Sequence, residues 1–131
     1  MKIVLDASAA VEIALNRPAS DRFQAVMETA EETLAPDLLF PEVVNALWKC
    51  HEFEKLDVDI CDRAMKEFPR LIDRTVSSRD LYREAFNLSR AARKPAYDMF
   101  YLALAQREDA VLLTMDQPLK KEAVRRGLRV T

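Results

Sequence analysis

Histidine occurs once in this 131-residue chain, at His51, and cysteine twice, at Cys50 and Cys61. A lone histidine removes the His–Ser and His–Cys pairings of nucleophilic catalysis, and His51 is expected on the surface or at an interface. Cys50 and Cys61 match no metal-type or redox-type spacing, so a reduced, cytoplasmic setting is expected. No apolar run approaches the ~20 residues that cross a bilayer, so no membrane partner is expected. The opening MKIVLD lacks the apolar stretch and cleavage site of a signal peptide. An excess of positive charge is also missing: 20 Lys and Arg against 22 Asp and Glu give a net charge of −2. That argues against coating nucleic acid by charge alone. It does not argue against an enzyme on nucleic acid, because carboxylates that hold cations present a positive site to phosphate. There is no aromatic-and-basic stacking platform, no internal repeat and no low-complexity tract.

What is present reads as one domain over residues 1–131, with short strands alternating with helices. KIVL predicts a strand ending at Asp6. Ser8 is placed to cap the helix AAVEIALN, which Pro18 stops. Ser20 opens a second helix, and a short strand is expected at 34–35. A helix follows from Leu38 to about Phe53, with Pro41 tolerated in its first turn. Residues 59–68 predict a helix, RLIDRTV a strand, and Ser77 the start of a helix through SRDLYREAFNLSRAA. A helix at 96–107, a buried strand in AVLLT and a last helix PLKKEAVRRG complete the order. The single glycine, Gly127, closes that last helix, and LRV is a possible edge strand. The pattern implies an α/β fold around a mostly parallel sheet of about five strands, with helices on both faces.

In such sheets, sites form at the C-terminal ends of strands. Asp6 follows KIVL and Asp116 follows VLLTM. Glu42 and Asp98 stand in the first turns of helices, which begin on the same edge. Taken singly, Asp6 or Asp116 reads equally well as a helix cap, and Glu42 as a dipole-favoured acid. Asp98 fits that reading less well, because PAYDMFYLALA surrounds it with apolar neighbours, and an unpaired buried carboxylate is expensive. Four acids on one edge repel one another unless cations meet them. An oxygen-only set suits Mg²⁺ or Mn²⁺ better than zinc.

Four segments, IVLDASAAVE, FPEVVNALWK, PAYDMFYLALA and LLTMDQPL, resemble the PIN-domain ribonucleases in order and spacing over nearly the whole chain. The likeness is strongest to the VapC-type toxins of toxin–antitoxin pairs. The resemblance implies a PIN-like three-layer α/β/α fold with Asp6, Glu42, Asp98 and Asp116 as metal-binding and catalytic acids. It suggests Ser8, Asn45 and Thr114 as supporting groups, each with a plain alternative as cap or packing partner. Many relatives have a glycine in the turn where this chain reads REDA, and Asp109 can take that conformation. Some carry a further acid beyond the equivalent of Asp116, where Leu119 and Lys120 stand here, which leaves the number of metal ions open.

The activity implied is metal-dependent endonucleolytic hydrolysis of RNA, leaving 5′-phosphate and 3′-hydroxyl ends because water, not the 2′-hydroxyl, attacks. Arg17, Arg93, Lys94 and Lys120 are candidates for backbone phosphates, although basic residues near helix ends are common. Selectivity is expected from RNA shape. The implied partners are a cognate antitoxin and a second copy in a homodimer, with Phe23, Val26 and Met27, or Leu47, Trp48 and Phe53, as apolar interface candidates. The rival readings are an RNA-processing nuclease outside a toxin–antitoxin pair and a non-catalytic PIN-like interaction protein. A small-molecule phosphohydrolase is disfavoured, since Ser8 stands where such enzymes usually place a second acid.

Overall fold

KIVL forms strand β1 (Lys2–Leu5), and Ile3, Val4 and Leu5 are all fully buried. Neighbouring strand residues point to opposite faces, so burial of all three requires cover on both sides. The computed structural model describes residues 1–131 and supplies that cover with helices. Strands β2 (Glu32–Pro36), β3 (Arg74–Val76) and β4 (Val111–Leu113) join β1 in a four-stranded sheet ordered β3-β2-β1-β4. All three pairings are parallel, with Ile3 opposite Thr33 on one side and Val111 on the other. The expected fifth strand, LRV, is reduced to a single bridge from Val130 to Leu112, held by backbone bonds from Arg129 and Thr131 along the outer edge of β4.

The helices are α1 (Ala7–Ala14), α2 (Ser20–Glu28), α3 (Leu39–Glu54), α4 (Val58–Glu67), α5 (Tyr82–Ala92), α6 (Ala96–Glu108) and α7 (Gln117–Arg125). Helix α6 lies against β1, β2 and β4 and carries α5 on its outer side. Helix α1 packs with α2, α3 and α4 as the other helical group. Because α6 has neighbours on both sides, Met99, Tyr101, Leu102, Ala103, Leu104 and Ala105 are all buried. This explains a helix with almost no polar face.

Two starts differ from the sequence reading. Asp6, not Ser8, caps α1: its side chain accepts from the Ala9 amide, and Ser8 lies inside the first turn. Asp is as good an N-cap as Ser, and its earlier position leaves Ser8 free to turn elsewhere. Ser77 caps only a 3-10 turn, Ser78–Asp80, and α5 proper begins at Tyr82. Lys55, Arg93 and Asp109 end α3, α5 and α6 in the left-handed conformation that glycine usually takes. Asp109, with φ of 49°, thus fills the turn before β4 without a glycine.

Candidate active site

Three routes bring acids to one edge of the sheet. The parallel strands β1 and β4 end together, and the Asp6 amide continues their ladder by donating to the Leu113 carbonyl at 3.1 Å. Asp6 and Asp116 follow these two ends. Helix α3 begins just after β2 and presents Glu42 in its first turn. Helix α6 runs back toward the start of β4, so its N-terminus, with Asp98 in the first turn, returns to the same edge.

Asp6 is 5% exposed and accepts three hydrogen bonds. Its Oδ1 takes the Ser8 hydroxyl at 2.7 Å and the Ala9 amide at 2.9 Å, and its Oδ2 takes the Thr114 hydroxyl. The two hydroxyls accept in turn from the turn that follows β4: Ser8 Oγ from the Met115 amide at 2.9 Å, Thr114 Oγ1 from the Asp116 amide at 3.0 Å. Each hydroxyl has one proton and spends it on Asp6. Burial nevertheless pushes the Asp6 carboxyl up from its usual 3.8 to about 6, against the pull of these donors and with a small push from the Asp98 charge.

Asp98 is half-buried and accepts no hydrogen bond; its carboxyl is raised by burial first, then by the charges of Asp116 and Glu42, with Lys94 partly offsetting them. Glu42 is steadied by the Tyr101 hydroxyl, which donates to Oε1 at 2.6 Å. Burial of Tyr101 and its bond to Glu42 hold that phenol protonated. Asp116 caps α7, its Oδ1 accepting from the Leu119 amide at 3.0 Å. Capping and a site role therefore coexist at Asp6 and Asp116, and one Asp116 oxygen is left over.

All four acids line one cleft of about 270 Å³, together with Ser8, Asn45, Lys49 and Tyr101. Glu42, Asn45, Ala46 and Lys49 follow one another at helical spacing along α3, so a single helix face forms that wall. No three of the side chains already form a closed cation cage. Two of the acids are engaged elsewhere: Asp6 is drawn toward Ser8, Ala9 and Thr114, and Glu42 toward Tyr101.

The expected basic residues do not line the cleft. Arg17 donates to Cys50 Sγ and faces Glu54 at 3.6 Å. Arg93 is exposed at the end of α5, and Lys120 is partly buried on α7. Lys94 acts on Asp98 through its charge. Lys49 is the cation that does line it, and it makes no ion pair with any of the four acids. His51 is exposed and bonds the Leu56 carbonyl at 2.8 Å.

The sequence profile of the PIN domain matches residues 3–124. The chain belongs to the PIN-domain family. Ribonuclease VapC3 of Pyrobaculum aerophilum is 29% identical over 124 residues, covering 93% of this PIN domain's chain and 95% of its own. The crystal structure of PAE2754 from the same organism superposes with a TM-score of 0.70 at 23% identity, over 93% of this chain and 84% of that one. A chain of VapBC2 from Rickettsia felis, crystallised with a DNA fragment from their promoter, matches at TM-score 0.70 and 14% identity, over 100% and 98% of the two chains. Both structures share the PIN fold.

Sequence reasoning missed Tyr101 as the partner of Glu42 and Lys49 as a cleft residue. Tyr101 stands three residues after Asp98, a spacing that puts both on one helix face. Lys49 stands seven after Glu42, and the same rule applied twice along α3 would have found it. Of the interface candidates, Phe23 and Leu47 are core, whereas Trp48 and Phe53 are 51% and 71% exposed. No helix is long and apolar enough to cross a membrane.

Proposed function

We propose that this PIN domain is an Mg²⁺- or Mn²⁺-dependent endoribonuclease that leaves 5′-phosphate and 3′-hydroxyl ends, working in the cytoplasm as the toxin of a toxin–antitoxin pair. The observation that carries the reading is the meeting of Asp6, Glu42, Asp98 and Asp116 on one cleft of a PIN-family chain. Its likeness to a protein named Ribonuclease VapC3, over nearly the full length of both, supports the choice of RNA.

The residues fit a hard divalent cation. The donors are carboxylate oxygens with no nitrogen or sulfur ligand, which suits Mg²⁺ or Mn²⁺. Asp6 and Asp98 are both raised by burial, and a cation relieves the cost of ionising them. Asp98 has both oxygens free of hydrogen bonds. Asp6, Asp98 and Asp116 would hold the ion, and Glu42 would bind it or orient water. When bound, the ion supplies a more acidic attacking water and offsets charge on the phosphate and leaving oxygen.

The remaining work falls to the chain. Ser8 and Thr114 fix the Asp6 carboxylate, and Tyr101 fixes that of Glu42. Lys49 lines the cleft from the α3 wall without pairing to any of the four acids, so its charge marks a phosphate track that draws RNA backbone toward them. Along α3 and α4, Val44, Trp48, Phe53 and Val58 are 49–71% exposed. An apolar surface of this kind fits a homodimer contact or an antitoxin. A basic antitoxin segment beside it would neutralise the cleft as cations do.

The test is cleavage of RNA with Mg²⁺, with EDTA, and by Asp98→Asn, with the 5′ ends assayed for a monophosphate. Cleavage that survives EDTA or the substitution would overturn the mechanism.

A further inference from the structure

A second groove, of about 330 Å³, adjoins the acidic cleft and is lined by Leu38, Pro41, Glu42, Asn45 and Tyr97. Glu42 and Asn45 belong to both walls. We propose that this groove is a nucleobase subsite, which takes one unpaired base of the RNA strand whose phosphate lies in the acidic cleft. The proposal rests on the ribonuclease reading and adds a determinant of which nucleotide is cut.

Tyr97 is the reason to expect a base. It is 64% exposed on a helix where Met99, Tyr101, Leu102 and Leu104 are buried and Phe100 is partly so. Its hydroxyl makes no hydrogen bond, so neither packing nor polar partnership explains its place. It lines the groove with Glu42 and Asn45, which also line the acidic cleft, so a base stacked on it adjoins the carboxylates. Leu38 and Pro41 form an apolar wall in the same groove, and an apolar wall beside a polar cleft suits a base and its phosphate together. Every base has a π-face, and stacking on one aromatic ring is a common way to hold a single strand.

Asn45 gives the slot a polar edge. It is exposed, unpaired, and carries both a donor and an acceptor that can meet a base edge. The groove holds no basic side chain, so it does not compete for phosphate. The larger apolar groove between α5 and α6, near Tyr82 and Phe86, shares no residue with the acidic cleft and lacks this coupling. Selectivity by RNA shape alone would need no such slot.

The experiment measures kcat/KM on a short unstructured RNA and on copies with an abasic nucleotide moved along it. Wild-type protein, Tyr97→Ala and Tyr97→Phe are compared in Mg²⁺. On wild-type protein, the abasic step at one position beside the cut should lower kcat/KM by about 5- to 150-fold, the span of base–aromatic stacking. Tyr97→Ala should lose a similar factor on intact RNA and lose little more on that abasic copy. Tyr97→Phe should stay within about twofold of wild type, because the ring does the stacking. The proposal is overturned if Tyr97→Ala cleaves intact RNA like wild type, or if its loss is the same at every abasic position. It is also overturned if Tyr97→Ala changes only the sedimentation of the protein, which would mean that a second copy occupies the groove. Wild-type protein that cleaves no RNA at all would instead sink the ribonuclease reading itself, before any variant is compared.

Discussion

Without metal, the protein should become more stable as pH falls from 7.5 to 5. The cause is Asp6, whose carboxyl is raised in the fold from 3.8 to about 6, chiefly by burial. A group with a raised folded pKa binds its proton more tightly in the native state. Its contribution is therefore fully present below the unfolded value and is lost as pH rises through the folded value. Linkage gives almost no contribution at pH 7.5, on the order of 1 kcal/mol at pH 5, and a few kcal/mol well below pH 3.8. For a chain of 131 residues, 1 kcal/mol corresponds to roughly 3–5 °C in Tm. Asp98, raised in the same direction, adds to the gain. Glu32 and Glu122 are shifted down, so their opposing loss sets in only as pH nears the ordinary carboxylate value of 4.5, at the acid edge of this window. The assay is urea unfolding in EDTA across the pH series, with Asp6→Asn as the comparison, which should be flatter. Saturating Mg²⁺ should reverse the order, because protons and cations compete for the same oxygens. Stability in EDTA that is flat or falls toward pH 5, and is identical in Asp6→Asn, would refute the account of this site.

Asp98→Asn should lower RNA cleavage on the order of 100-fold or more and remove the rise in Tm with Mg²⁺, both read on the same preparation. Tyr101→Phe deletes the hydroxyl that holds Glu42 while keeping the buried ring. It should lower activity or metal affinity by about 10- to 100-fold, while a melt checks that the core survives. Lys49→Met should weaken binding of single-stranded RNA whatever its sequence and flatten the log–log salt dependence by about 0.7. Fluorescence anisotropy at several salt concentrations would show it, and an unchanged slope would remove Lys49 from the phosphate track.

The strands and helices were legible where one period dominated. KIVL and the α3 segment fall within a residue or two of their expected places. Boundaries failed where two residues competed for one cap, as with Asp6 and Ser8, or where a turn intervened, as with Ser78–Asp80. The four acids were legible because parallel topology forces strand ends and helix starts onto one edge. What sequence could not show was partnership across elements. The bonds of Ser8 and Thr114 to Asp6, 106 residues apart from one another, depend on the β1–β4 register. Lys49 was within reach of helical spacing from Glu42, but Tyr97 was hidden, because a groove beside the cleft is a property of packed faces, not of a string.

The acids also differ in how much of each is left over, and this orders their parts in the proposed chemistry. Asp6 gives both oxygens to hydrogen bonds, Asp116 gives one to the Leu119 amide, and Glu42 gives one to Tyr101. These three are held by the scaffold before any ligand arrives, and each can still offer a lone pair, since a carboxylate accepts at about four sites. Asp98 has no such tether and carries the repulsion of Asp116 and Glu42 at the start of a helix that is apolar through Ala105. Burial opposes ionisation of both Asp98 and Asp6, and a cation that neutralises them offsets that cost. Asp98, the one acid without a tether, is free to turn toward the ion, while the other three set where that ion rests.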